Sequence, residues 1–94
     1  MKYIKVIDKC EADVECIFYF EVDFDMYEVR KVELYNAALL GFASSDISFN
    51  GTELSKTKLF EASEINKISG MAAIEIENAD FEEIWQQAVS ALND

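Results

Sequence analysis

CIFYFEVDF, residues 16–24, alternates clearly. Cys16, Phe18, Phe20, Val22 and Phe24 fall on one parity; Tyr19, Glu21 and Asp23 fall on the other. A period of two is that of a β-strand, and this one predicts a strand with its apolar parity on the core and its acidic parity in water. The chain on either side reads the same way. KYIKVI, residues 2–7, is a short β-rich run, separated from the central strand by the polar residues 11–15. Asp25-Met26 makes a tight link to YEVRKVELY, residues 27–35, a third strand with imperfect alternation. Val29 shares the parity of Tyr27, Lys31, Glu33 and Tyr35, whereas Val32 and Leu34 take the other. Either both of its faces are partly covered or a bulge shifts the register. Asn36-Ala37 turns the chain into a fourth strand at residues 39–43. Links this short favour an antiparallel meander.

Residues 44–58 are polar and carry Gly51, which predicts the longest irregular segment. Ser63 is placed to cap a short helix containing Ile65 and Ile68 and closed by Gly70. AAIEIE, residues 72–77, reads as a fifth strand with Ile74 and Ile76 inward and Glu75 and Glu77 outward. Asp80 with Glu83 resembles a capping box. After it, Phe81, Ile84, Trp85, Ala88 and Leu92 recur at helical spacing, a pattern that lays Phe81 and Trp85 on the sheet. The expected architecture is therefore one α+β domain over residues 1–94. It has a four- to five-stranded, mainly antiparallel sheet, a C-terminal α-helix packed on one face, and a short second helix.

The chain carries 19 acidic and 8 basic residues, a net charge of -11, and no histidine. An acidic disordered tail is poor in aromatics. Here seven Phe, four Tyr and one Trp supply a core, so the acid sits on a folded body. Lys2, Lys5 and Asp8 interrupt the opening residues, which excludes a signal peptide there, and no apolar run approaches the ~18 residues of a membrane span. A cytoplasmic protein is expected. Its two cysteines, Cys10 and Cys16, are too few for a disulfide framework or a zinc site. Cys16 is read as a core thiol, and a bond to Cys10 is not expected in a cytosolic protein.

Charge and composition narrow the chemistry. Phosphate contacts rest on Lys and Arg. The one adjacent basic pair, Arg30-Lys31, points to opposite sheet faces and is expected to pair with Glu28 and Glu33, so direct nucleic-acid binding is not expected. Without histidine, a nucleophile would need Lys, Asp or Glu as its base. No nucleophile elbow or phosphate-binding glycine loop is present, and no catalytic residue is assigned. Asp23, Asp25 and Glu28 surround one turn, but they lack the ligand count and glycine of a calcium loop and are read as solvated carboxylates. No cofactor or metal is expected. The acidic excess itself is the remaining signal. Like charges at this density destabilise the compact state, whereas they speed encounter with a positively charged partner. The expected contact residues are Tyr19, Glu21, Asp23, Asp25, Tyr27, Glu28 and Asp46, carboxylates interleaved with tyrosine anchors. A second acidic group runs through Glu75, Glu77, Glu82 and Glu83.

YIKV (residues 3–6) and YEVRKVELY (27–35) are followed by Gly41, Gly51-Thr52, Leu54, Glu64-Ile65-Asn66, and Phe81-Glu82 with Trp85. In that order they resemble a family of small uncharacterised bacterial proteins over nearly the whole chain. The prolines usual there in the first loop and before the short helix are absent from this chain. The resemblance implies no activity and no catalytic residue. By analogy of size and charge, small acidic proteins of this kind accompany bacterial toxins as immunity proteins. The expectation is a non-catalytic cytoplasmic immunity protein that binds a cognate, basic toxin domain such as a nuclease. The alternatives are an adaptor that adds a strand at a free sheet edge, and a small carboxylate-based hydrolase or metal protein.

Overall fold

A computed structural model describes residues 1–93. Strands β1 (Lys2–Glu11), β2 (Val14–Val22), β3 (Glu28–Tyr35) and β4 (Ala38–Ala43) form an antiparallel meander, and β5 (Ser48–Phe49) extends it. After the short helix α1 (Ala62–Ile65), β6 (Met71–Ile76) pairs with β1, giving the order β5-β4-β3-β2-β1-β6. Helix α2 (Asn78–Val89) then crosses β1 to β4, and a 3-10 turn, Ser90–Asn93, follows it. The sheet thus has six strands, one more than the upper expectation. The extra one, β5, is a two-residue pairing of Phe42 with Phe49 and Ala43 with Ser48, too short to show any alternation in sequence.

The register sorts side chains onto two faces. Tyr3, Glu21 and Arg30 align on one face, as do Lys5, Tyr19, Val32 and Phe42. Helix α2 covers this face with Ile84, Trp85, Ala88 and Val89, packed around Val32 and Phe42. Phe81 is fully buried with its ring 5.5 Å from that of Tyr3. The opposite face carries Ile4 with Phe20 and Lys31, and Val6 with Phe18 and Glu33. It packs against Ile65 of α1, Leu59 and Met26. Both faces are therefore covered, and a bulge is present as well: Glu21 faces Arg30 but Val22 faces Glu28, which leaves Val29 as the extra residue on β3.

Several local expectations change. The row of Tyr19 and Glu21 lies under α2 rather than in water, and Glu21 is buried. Phe24 follows the end of β2 and is 93 % exposed rather than continuing the apolar row. In β6 the buried residue is Ala73, not Ile74, which is exposed. Helix α1 closes over Ala73, whereas α2 lies over β1–β4 and leaves Ile74 uncovered. Ser63 caps nothing: α1 begins after Glu61 and has no side-chain cap. Helix α2 starts earlier than expected, with the Glu77 N–H donating to the Asp80 carboxylate at 3.2 Å. An acid in the first turn also suits the helix dipole.

Cys10 and Cys16 are joined by a disulfide, not held as thiols. The β1–β2 register shifts by one between Asp8 and Glu11, beside the bridge, and the two cysteine Cα atoms stand 5.9 Å apart. That separation lies within the usual disulfide range. A loop this short is worth about 2 kcal/mol by loop-closure entropy.

At the β3–β4 turn, Asn36 and Ala37 both have positive φ, +49° and +66°. A two-residue hairpin turn of this kind asks for glycine at such positions, and alanine there is strained by about 1 kcal/mol. Ala37→Gly is expected to raise unfolding stability by roughly 0.5–1 kcal/mol in urea titration; an unchanged or lower midpoint would count against the strain. Gly41 has the opposite constraint. A Cβ added there would stand 2.6 Å from the Phe49 carbonyl oxygen, so the residue must be small for β5 to close on β4.

Asparagine side chains engage backbone groups on the edge strand β6 and on β4, beside the short edge strand β5. On β6, the Asn66 amide accepts from the Ala73 N–H at 2.7 Å and donates to its carbonyl at 2.8 Å. The neighbouring Met71 N–H donates to the Ile68 carbonyl. On β4, Asn50 Nδ2 donates to the Leu40 carbonyl at 2.6 Å. No helix among the described residues is long and apolar enough to cross a membrane.

Candidate partner-binding surface

The β2–β3 connection is built on one carboxylate. Asp23 Oδ1 accepts from the backbone N–H of Asp25 at 2.9 Å and of Tyr27 at 3.0 Å. The Met26 N–H donates to the Asp23 carbonyl, and Met26 takes a positive φ of +69°. An aspartate bonding its own turn in this way is the reason the residue type suits the position. The fixed turn projects Phe24 into solvent, flanked by Asp23 and Asp25. Behind it the Leu59 N–H donates to the Met26 carbonyl at 2.8 Å, tying the turn to residues 59–61. Phe24, Met26 and Met1 line a hollow of about 190 Å³ whose polar wall is Asp23, Glu61, Glu75 and Lys2. Lys2 reaches Glu61 at 3.3 Å.

Of the residues expected to contact a partner, Asp25 and Tyr27 stay exposed at this turn, and Lys58 lies over the Tyr27 ring at 5.6 Å. Asp46 is exposed in the β4–β5 connection, at the same end of the sheet, with its N–H donating to Ser44 Oγ. Asp23 is half-buried and engaged within the turn. Glu28 is turned inward: its carboxylate accepts from Lys31 at 2.9 Å and from the Ser55 N–H at 2.8 Å. Tyr19 lies on the face under α2, beside Ile84 and Gln87, with Lys5 5.6 Å from its ring. Of Asp23, Asp25 and Glu28, weighed as oxygen ligands, Asp23 and Glu28 are thus engaged with different groups while Asp25 stays in solvent. No group of three or more Asp, Glu or Cys among the described residues is placed to hold a metal ion.

Glu21 belongs to a different structure altogether. Arg30 donates to it through Nε at 2.6 Å and through a second nitrogen at 3.2 Å. The same guanidinium donates to Glu82 of α2 and lies 4.8 Å from the Phe81 ring and 5.1 Å from the Trp85 ring. Arg30 therefore pins α2 to the sheet instead of pairing with Glu28 or Glu33. Its hydrogen bond and charge hold the Glu82 carboxyl below the usual glutamate range, and its bonds to Glu21 and Glu82 push its own value further up. Burial, then the Glu21 carboxylate, pushes the Tyr3 phenol above its ordinary value. Asn78 Nδ2 donates to the same phenol oxygen at 2.5 Å.

These directions set a pH window. The depressed Glu82 value gives stability that is present above the ordinary glutamate range and is lost as pH falls through the folded value. The raised Tyr3 value gives stability that is present below the ordinary phenol range and is lost as pH rises through the folded value. Thermal melting across pH should therefore decline at both ends, and Glu82→Gln should flatten the acid limb while leaving the alkaline one. An acid limb of unchanged steepness in that variant would sink the assignment.

Sequence reasoning missed Phe24, Glu61 and Glu75 as parts of this end of the sheet. The Asp-Phe-Asp triplet was the available signal for Phe24. Nothing local announces Glu61 and Glu75, which arrive through α1 and β6. Residues 2–90 match the family described as Domain of unknown function (DUF6881). No curated protein and no solved structure matches the chain.

Proposed function

Because the chain belongs to the family described as Domain of unknown function (DUF6881), a description that carries no activity, we propose from its own geometry that it is a non-catalytic binding domain for a basic protein. The observation that carries this reading is Phe24: a phenylalanine 93 % exposed, on a turn made rigid by Asp23, beside Asp25, Glu61 and Glu75. A large apolar side chain held in water on a fixed turn suits an anchor, and the surrounding carboxylates suit a cationic rim on the partner. The specific form we propose is immunity: the domain binds a cognate toxin domain, such as a nuclease with Lys and Arg for phosphate, and blocks it.

Strand addition at a sheet edge is the weaker reading, because Asn66 already occupies the Ala73 backbone groups of the β6 edge and the other edge strand, β5, is two residues long. A hydrolase is weaker still, since Glu21 and Glu82 are both engaged by Arg30. We keep the cytoplasm as the proposed compartment. In a reducing cytosol the Cys10–Cys16 pair would be opened and the hairpin held by strand pairing alone.

Co-purification from the host, followed by stopped-flow association with the captured protein, tests the reading. A basic partner is expected, with an association rate falling about tenfold or more between low and high salt. Phe24→Ser is expected to speed dissociation. Immunity itself is tested by growth of cells producing the partner's domain with and without this chain. A rate indifferent to salt, or a partner without excess Lys and Arg, would overturn the proposal.

A further inference from the structure

The two faces of the sheet are covered unequally. Helix α2 lays twelve residues on one face, whereas the other receives the four-residue α1 and an irregular segment. The shortfall leaves a groove of about 380 Å³ floored by Phe18, Phe20, Ile65 and Met71. Phe60 and Ile68 also line it while remaining 61 % and 42 % exposed. An open apolar recess of this size is in the range of sites that accept a side chain or small ligand. Asp8 is the single charged side chain among the described residues lining it.

Charge decides the occupant. Asp8 and Glu33 stand on the same sheet face as the apolar floor: Asp8 follows Val6 on β1, and Glu33 aligns with Phe18. Neither has an ion pair among the described residues. The cations that the register places on this face, Lys2 and Lys31, are already bonded to Glu61 and Glu28. The face therefore presents unmatched negative charge around an apolar recess. A second copy of the chain, also carrying a charge of -11, would set carboxylate against carboxylate.

We infer that this groove accepts one apolar side chain from a Lys- or Arg-rich segment of the partner, the flanking cations meeting Asp8 and Glu33. The inference rests on the reading of the domain as a binder of a basic protein. It extends that surface along the chain. Phe60 adjoins Glu61, which lines the hollow beneath Phe24, and Leu59 is bonded to the Phe24 turn through Met26.

Random peptides displayed on phage and selected on the full chain test it. Their binding is then compared on the wild type, a Phe60→Ser/Ile68→Ser variant, Asp8→Asn, and Phe24→Ser/Asp25→Asn. The substituted apolar residues are exposed, and melting curves confirm that each variant is folded. Expected is a consensus of one apolar residue flanked by Lys or Arg, bound about tenfold or more weakly by Phe60→Ser/Ile68→Ser. Asp8→Asn is expected to bind it about threefold more weakly. A basic consensus lost only in Phe24→Ser/Asp25→Asn would overturn the groove and leave the basic-partner reading standing. An apolar consensus without cations would overturn the occupant and count against that reading too. Concentration-dependent self-association through the groove, or no enriched peptide, would also overturn the inference.

Discussion

Phe42→Ala is expected to cost about 3–5 kcal/mol. Phe42 is fully buried, with its ring 5.1 Å from that of Phe49 and 5.5 Å, edge-on, from that of Trp85. The ring therefore joins three elements: β4, the short β5 and α2. Its removal leaves a cavity that none of them fills, because β5 is held against β4 by the close approach at Gly41. For a domain of this size about 1 kcal/mol corresponds to roughly 4–8 °C of melting temperature. The expected drop is therefore on the order of 12 °C or more, read by calorimetry. Phe42→Leu retains most of the volume and should cost markedly less. Equal losses for the two variants would mean that the site does not hold a shaped core.

Arg30→Met comes next, at about 3 kcal/mol, the lower end for breaking a buried ion pair. Glu82 retains partial exposure and can turn to water, but Glu21 cannot: its side chain is 9 % exposed. The loss is therefore dominated by one carboxylate left without its partner, with a smaller share from the two aromatic rings against the guanidinium. The second substitution Glu21→Gln, in the Arg30→Met background, should recover part of the loss, and urea titration of the four proteins in the cycle gives the coupling. A loss under about 1 kcal/mol in Arg30→Met would mean that the triad is decoration and that packing alone holds α2.

That triad marks the limit of what alternation can reveal. Residues 16–24 correctly announce a strand and its two rows, and 81–88 correctly announce a helix with one apolar stripe. Neither stretch states which row the helix will cover. Glu21 reads as solvent-facing because carboxylates usually are; its neutralising partner, Arg30, lies 9 residues on, and the second carboxylate on that guanidinium, Glu82, lies a further 52 residues along the chain. Phe24 fails for the opposite reason. Its parity matches the apolar row, but the Asp23 turn ends the strand before that parity applies. The disulfide joins two cross-strand neighbours beside a register shift in β1, and pairing between strands is something no periodicity records. Of the expected contact residues, Asp25, Tyr27 and Asp46 remain at the exposed end of the sheet. Glu21 and Glu28 are engaged in internal ion pairs, and Tyr19 lies beneath the helix.

The amides of Asn66 and Asn50 bear on how the surface charge can be studied. A sheet whose ends are stopped by repulsion between carboxylates would begin to stack as salt screens them. Here neutral amides hold Ala73 on the β6 edge and the Leu40 carbonyl beside β5, and bonds between neutral groups are indifferent to ionic strength. Salt can therefore be used as a dial on this molecule, attenuating attraction to a cationic partner without loosening these amide contacts.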